Sequence, residues 1–224
     1  MWRDALVVAG KDLRIEARSR VATNQVAPFA VLVLVLFAFA LDPDRGVLTR
    51  AAAGLFWVAV LFSALLAVQR AQNVESAEGT ADALRLSGLD PAGIFLGKAG
   101  AVVVQLLALE LLLGAGVVVL YGVDPAGYAT LAATAVAATL GLAAAGTLYG
   151  ALATGSRVRE TLLPLLLLPA VAPVLIAATR ASESALGTGG LDVAPGDWLA
   201  LLGVFAVVYI AFGVVAFGPL MEEQ

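Results

Sequence analysis

One carboxylic acid stands far inside an apolar stretch of the sequence. Glu110 lies in the middle of residues 96–121, where leucine, valine, alanine and glycine predominate. A carboxylate at membrane depth costs ~2.5–3.5 kcal/mol unless it is protonated, paired or facing a wet cavity. Such a residue could serve a substrate path, a proton relay or a contact with another membrane subunit. The alternative is a protonated carboxyl that hydrogen-bonds within the bundle, to Gln105 or to a tyrosine.

The chemistry open to this chain is limited by what it lacks. It contains no histidine and no cysteine among 224 residues, and so lacks the usual ligands of heme and zinc and the commonest general base. It has no nucleotide-binding motif, so an ATP-driven function needs its nucleotide site on a partner chain. We therefore predict no catalytic residue, no metal site and no cofactor bound directly.

Three prolines interrupt a second apolar stretch, at residues 161–179. Pro164 lies in the first turn of the predicted helix, whereas Pro169 and Pro173 lie in its interior. Each interior proline removes a backbone donor and strains the preceding turn, so the sequence predicts a kinked or broken helix. Such a bend could gate a passage or only shape the bundle, and the spacing does not separate these alternatives.

A polar excursion separates two apolar stretches at residues 70–95. Its acidic residues come first, and apolar residues and an Asp-Pro turn follow them. The acidic residues are Glu75, Glu78 and Asp82, and the apolar residues are Leu84, Leu86 and Leu89. A short acidic helix with apolar anchors is either a simple connector or a docking element for another protein. Composition leaves both alternatives open.

These residues must be positioned by helices that cross a membrane. The chain is 61% hydrophobic and only 13% charged, against about 25% charged residues in a typical soluble domain. Six stretches approach the roughly 20 apolar residues that a transmembrane helix needs. They are residues 25–41, 51–69, 96–121, 128–154, 161–179 and 198–217. The sequence therefore predicts an all-α integral membrane protein, with one transmembrane domain over residues 1–224 and a six-helix bundle at 25–218.

Residues 1–20 have a different pattern. Trp2, Leu6, Ala9 and Leu13 recur at helical spacing, and basic residues occupy the other faces. This pattern predicts an amphipathic helix that lies in the membrane interface. The alternative is a solvated helix that packs on a partner.

Basic residues set the predicted orientation. With the N-terminus inside, the inner segments carry Arg3, Lys11, Arg14, Arg18, Arg20, Arg70, Arg85, Lys98, Arg157 and Arg159. The outer segments carry Arg45, Arg50 and Arg180. Because cytoplasmic loops are enriched in lysine and arginine, both termini and the 70–95 excursion are expected in the cytoplasm. The net charge of −4 shows no basic footprint for nucleic acid.

Several stretches together resemble the heme exporter protein B (CcmB) family over nearly the whole chain. The resemblance begins at Trp2 and continues through KDLRIEARSR at 11–20, AGLFWVAV at 53–60 and the residues from Glu78 to Pro91. Its most specific part is LPAVAPVLI at 168–176, which is similar to the family's Leu-Pro-x-x-x-Pro-Val-Leu-Ile.

This resemblance implies an exporter-type ABC permease that pairs with a cytoplasmic ATPase, CcmA-like, in the inner membrane. The other implied partners are CcmC-like and CcmD-like membrane proteins, a CcmE-like heme chaperone and a second copy of the chain. The excursion at 70–95 would then dock on the ATPase. Heme would be handled by the complex and ATP by the partner, in the maturation of c-type cytochromes.

Two other functions are alternatives to this one. The first is a permease of the same architecture that exports a drug, a lipid or a polysaccharide. The second is a membrane-embedded enzyme with Glu110 as its acid, which is the weakest because one carboxylate without a partner or metal makes a poor active site.

Overall fold

The computed structural model of the protein describes residues 1–20, 22–41, 45–77, 88–154, 159–189 and 194–222. Its α-helices in these ranges are α1 (Trp2–Ser19), α2 (Ala27–Leu41), α3 (Arg45–Ala77), α4 (Pro91–Tyr121), α5 (Tyr128–Thr154), α6 (Arg159–Ala185) and α7 (Pro195–Glu222). A π-helical segment, Ala22–Val26, joins α1 to α2. Within the described ranges, six helices are long and apolar enough to cross a membrane, and they correspond to α2–α7. The prediction of an all-α protein with six transmembrane helices is confirmed.

Two of the helices extend well into the predicted excursion at 70–95. Helix α3 has 33 residues and α4 has 31, so they are about 50 and 46 Å long, against a hydrocarbon core of about 30 Å. Helix α3 continues to Ala77 because residues 70–77 contain no glycine or proline. Helix α4 begins at Pro91, whose missing N–H is tolerated there, and the Asp90 carboxylate accepts the Ala92 N–H at 3.0 Å.

Helix α5 is the centre of the bundle. It packs against α3, α4, α6 and α7, and 61% of its apolar stretch is buried, compared with 17% for α2 and for α7. Small residues make this possible, since they let neighbouring backbones approach closely. At Gly146, for example, a Cβ would lie only 2.7 Å from Cγ2 of Val68 in α3. The small residues of α5 therefore form a packing face between helices of the same chain.

The first and last helices both contact the start of α4. A Cβ at Gly93, near the start of α4, would lie 2.7 Å from the Met1 carbonyl oxygen. Gly218, near the end of α7, faces the ring of Pro91. We call this the α1 end of the bundle, and α4 begins there.

Helix α1 runs beside the first half of α4, as its buried and exposed residues show. Ala5 and Val8 are buried on the face toward α4, whereas Trp2 and Leu6 are 70% and 74% exposed. The amphipathic helix predicted over residues 1–20 is thus present as Trp2–Ser19. Its position in a membrane interface stays a prediction.

Candidate functional site

Glu110 is buried where α4 meets α5. Its side chain is 5% exposed, and the Thr139 hydroxyl of α5 donates a hydrogen bond to its Oε1. Its Oε2 is buried without a hydrogen-bond partner among the described residues. The sequence suggested Gln105 or a tyrosine as the partner, and the partner that the structure shows is Thr139. Gln105 precedes Glu110 by five residues, which is about 140° around the helix, so it faces a different neighbour.

The pairing defines what Glu110 can do chemically. A threonine hydroxyl can donate to the carboxylate or accept from the protonated acid, so Thr139 can serve either protonation state. Thr134 lies on the same helix as Thr139, and its Oγ1 is also buried without a hydrogen-bond partner in the described part of the chain. Within those same residues, no cluster of three possible metal ligands occurs. The arrangement joins α4 to α5 through a polar contact, and any further role of Glu110 stays a prediction.

Substitutions at Glu110 should separate polarity from charge. We expect Glu110→Gln to insert and fold nearly normally, because an amide can also hydrogen-bond with Thr139. Glu110→Lys should lose most of the folded protein, because a charge at this depth costs ~2.5–3.5 kcal/mol. The measurement is the amount of monodisperse protein extracted from membranes, with Glu110→Leu as a variant that removes the polar group. Equal losses for Gln and Lys would show that the carboxyl itself is required.

Gln105 lines two small cavities beside α1. Each has a volume of about 30 Å³, which suffices for a water molecule. The first is lined by Glu16, Ser63 and Arg70 among others, and the second by Asp12, Lys98 and Thr147 among others. Acidic residues of α1 and basic residues of α3 and α4 therefore line the same cavities.

Helix α6 passes through all three prolines without interruption. Pro164, Pro169 and Pro173 lie inside the single helix Arg159–Ala185, so the predicted break does not occur in the described chain. The Tyr209 hydroxyl of α7 donates a hydrogen bond to the Ala170 carbonyl at 3.1 Å. The carbonyl that loses its helical donor to Pro173 belongs to Pro169, one residue earlier. Helix α7 thus contacts the backbone of α6 beside this point, and a bend at these prolines stays a prediction.

A close contact fastens α1 to the start of α4. A Cβ at Gly97 would lie 2.6 Å from the Ala5 carbonyl oxygen and 2.7 Å from Cβ of Val8. The Asp90 backbone N–H donates to the Asp4 carboxylate at 3.4 Å. The Met1 ammonium, 2.9 Å from the same carboxylate, holds the pKa of Asp4 below its usual range. Sequence analysis missed this contact, although the Gly-x-x-x-Gly spacing of Gly93 and Gly97 is a visible signal for close helix packing.

The residues of the predicted docking segment are described only in part. Glu75 lies on the last turns of α3, whereas Glu78, Asp82, Leu84 and Leu86 lie outside the described residues. Leu89 is partly buried against a cluster that includes Val8, Ile94 and Phe95. One of the predicted apolar anchors therefore contacts the chain's own bundle, next to α1, and its role in docking stays a prediction.

Six apolar helices, a central α5 and a buried polar contact between helices define a multi-pass helical membrane protein. The family described as CcmB protein matches residues 3–222, and the chain belongs to that family. It is 32% identical over 217 residues to heme exporter protein B of Haemophilus influenzae, which covers 96% of this chain and 93% of the relative. Heme exporter protein B of Paracoccus denitrificans is 32% identical over 190 residues, or 81% and 83% of the two chains. The Bradyrhizobium diazoefficiens protein of the same name is 27% identical over 209 residues, or 92% and 93%.

Proposed function

We propose that the chain is the membrane permease subunit of an ABC-type complex for the biogenesis of c-type cytochromes. The observation that carries the proposal is the family match over residues 3–222, together with relatives named heme exporter protein B. In this function the subunit couples ATP hydrolysis on a separate chain to heme delivery, or to release of a heme-loaded chaperone, on the outer face. The complex would include CcmA-like, CcmC-like, CcmD-like and CcmE-like partners and a second copy of this chain.

The α1 end of the bundle would face the cytoplasm of the inner membrane. Ten of the thirteen basic residues lie within residues 3–20, 70–98 or 157–159, on the side predicted to be inside. Met1, Pro91 and Gly218 come together at that end, so both termini and the α3–α4 segment would be available to a cytoplasmic ATPase.

Heme would be handled by the complex and not held by this chain. The sequence contains neither histidine nor cysteine, which are among the usual axial ligands of heme iron. The absence of these two ligand types supports a role in moving or gating. ATP would bind to the partner ATPase, because this chain has no nucleotide-binding motif.

The docking segment offers a direct test of this function. We expect the double variant Leu84→Ala, Leu86→Ala to insert normally but to lose co-purification of the ATPase and mature c-type cytochromes. Truncating a leucine that is buried in a contact costs on the order of 2 kcal/mol or more. Membrane folding should persist, because the spanning helices supply that stability. The measurements are pull-down of the ATPase and cytochrome content by heme staining.

A matched control makes the same leucine-to-alanine substitutions at two exposed positions of α4. Leu111 and Leu112 are 79% and 48% exposed on α4, and the double variant Leu111→Ala, Leu112→Ala should retain both ATPase binding and cytochrome c. If the Leu84, Leu86 variant behaves like this control, residues 70–95 are a connector and the docking assignment is wrong.

A further inference from the structure

The outward face of α1 carries an open groove. It has a volume of about 620 Å³ and is lined by residues of this helix alone. Gly10 is one of the lining residues, and a Cβ placed there would meet no atom within 4 Å. The opposite face of α1 is already occupied, because Ala5 and Val8 pack against α4. The groove is therefore free in this chain, whereas the rest of the helix is held in place.

Two kinds of side chain line this groove. Leu6 and Val7 are 74% and 62% exposed and form its apolar part. Lys11, Arg14 and Arg18 form its basic part. The basic residues follow one another at intervals of three and four residues, so their side chains lie on one face of the helix. The groove thus offers cationic groups beside apolar surface.

The charges of α1 are separated between its two faces. Its acidic residues face the bundle: Asp4 contacts the start of α4, and Asp12 and Glu16 line the two small cavities beside Gln105. The arginines at 14 and 18 are exposed to the outside. Lys11 is less available, because its ammonium lies 2.6 Å from an Asp12 oxygen. The outward face is therefore positive although the helix as a whole carries both signs.

We propose that this groove binds an anionic phospholipid, with its phosphate on Arg14 and Arg18 and an acyl chain against Leu6 and Val7. Guanidinium groups bind phosphate through paired hydrogen bonds, which an ammonium does not provide. An amphipathic helix with basic and apolar faces associates with anionic membrane surfaces. A free phosphate would leave the apolar half of the groove exposed, whereas a lipid covers both halves. The bilayer around α2–α7 is a continuous source of such lipid.

Lipid retention by the full chain tests this site independently of the permease function. The chain is reconstituted in phosphatidylcholine vesicles that contain phosphatidylglycerol, extracted in mild detergent, and analysed by native mass spectrometry. The unmodified chain should retain phosphatidylglycerol in preference to phosphatidylcholine. Arg14→Gln with Arg18→Gln should reduce this preference about tenfold or more, since each basic residue near the surface contributes separately to the attraction.

Two matched variants distinguish lipid binding at this groove from a general effect of net charge. Arg50→Gln with Arg180→Gln removes two exposed basic residues at the opposite end of the bundle and should leave the preference unchanged. Arg14→Lys with Arg18→Lys keeps the charge and should retain part of the preference. All variants should elute as the unmodified chain does in size exclusion. Equal loss in the Arg50, Arg180 variant, or no loss in the Arg14, Arg18 variant, would overturn the proposal.

Cross-linking identifies the occupant of the groove. A photoreactive amino acid at Leu6 should form adducts with phospholipid in native membranes, and excess inorganic phosphate should not remove the lipid retained by the purified chain. Adducts with a soluble protein alone would show that the groove is a protein docking site. Displacement of the lipid by inorganic phosphate alone would show a simple anion site. Either result would overturn the assignment to a phospholipid.

Discussion

An alanine at Gly213 is expected to remove most of the folded protein from membranes. Gly213 lies on α7 opposite Phe95 of α4, and a Cβ there would lie 2.0 Å from the ring Cζ. Favourable carbon–carbon contacts are about 3.5–4.0 Å. The ring cannot turn away, because Phe95 is fully buried and packs against Phe217 with ring centroids 5.6 Å apart. Overpacking of this kind costs ~1–3 kcal/mol and occasionally more, and we expect a cost at or above the upper end.

The measurement is the fraction of monodisperse protein that survives heating in mild detergent. Gly203→Ala is the matched control on the same helix, because a Cβ at Gly203 meets no atom within 4 Å. That variant should be neutral or stabilising by up to about 1 kcal/mol, since alanine is the better helix former. Adding Phe95→Leu to Gly213→Ala should recover part of the loss. Equal thermal survival of the two alanine variants would contradict the close contact between α4 and α7.

Valine at Gly97 is expected to detach α1 while the spanning helices stay folded. A Cβ there would lie 2.6 Å from the Ala5 carbonyl oxygen and 2.7 Å from Cβ of Val8. Both atoms are fixed to the backbone of α1, so only a displacement of the whole helix relieves the overlap. A cost of ~1–3 kcal/mol corresponds to roughly a 5- to 150-fold increase in the detached population.

A single introduced cysteine reports this detachment. The chain has no cysteine of its own, and Val8 is 1% exposed, so Val8→Cys should react slowly with a maleimide. Gly97→Val should raise the labelling rate on the order of tenfold or more. Gly100→Val on the same helix, where a Cβ meets nothing within 4 Å, should leave it unchanged. Similar labelling in the two valine variants would show that α1 is not held through Gly97.

Both glycine contacts join other helices to the first turns of α4. Helix α1 packs against Gly97, and α7 packs through Gly213 against Phe95, two residues before Gly97. The proposed docking segment leads directly into these turns. If the ATPase moves that segment, α1 and α7 should move with α4, because packed interfaces shift as units and do not deform continuously. This connection gives the proposed coupling a physical path inside the chain.

The sequence by itself determined the class of the protein and the order of its elements. Hydropathy is a local property, and a backbone in lipid must satisfy its hydrogen bonds within a helix, so each apolar stretch could be assigned independently. The amphipathic pattern of residues 1–20 was likewise sufficient to predict helix α1. Helix ends were less predictable at α3 and α4, which continue beyond their apolar stretches, since polar residues can extend a helix outside the hydrocarbon core.

Only the tertiary structure decided which residues meet. The burial of Glu110 was expected from its position, but its partner Thr139 depends on how α4 and α5 are rotated against each other. The contact between Phe95 and Gly213 also depends on helix rotation. The two residues are 118 positions apart, and no local sequence pattern links them. In lipid every apolar face is equally acceptable to the solvent, so hydropathy does not say which face turns inward. The shape of the helix surface decides which face turns inward, because a glycine without a side chain lets a neighbouring helix approach closely.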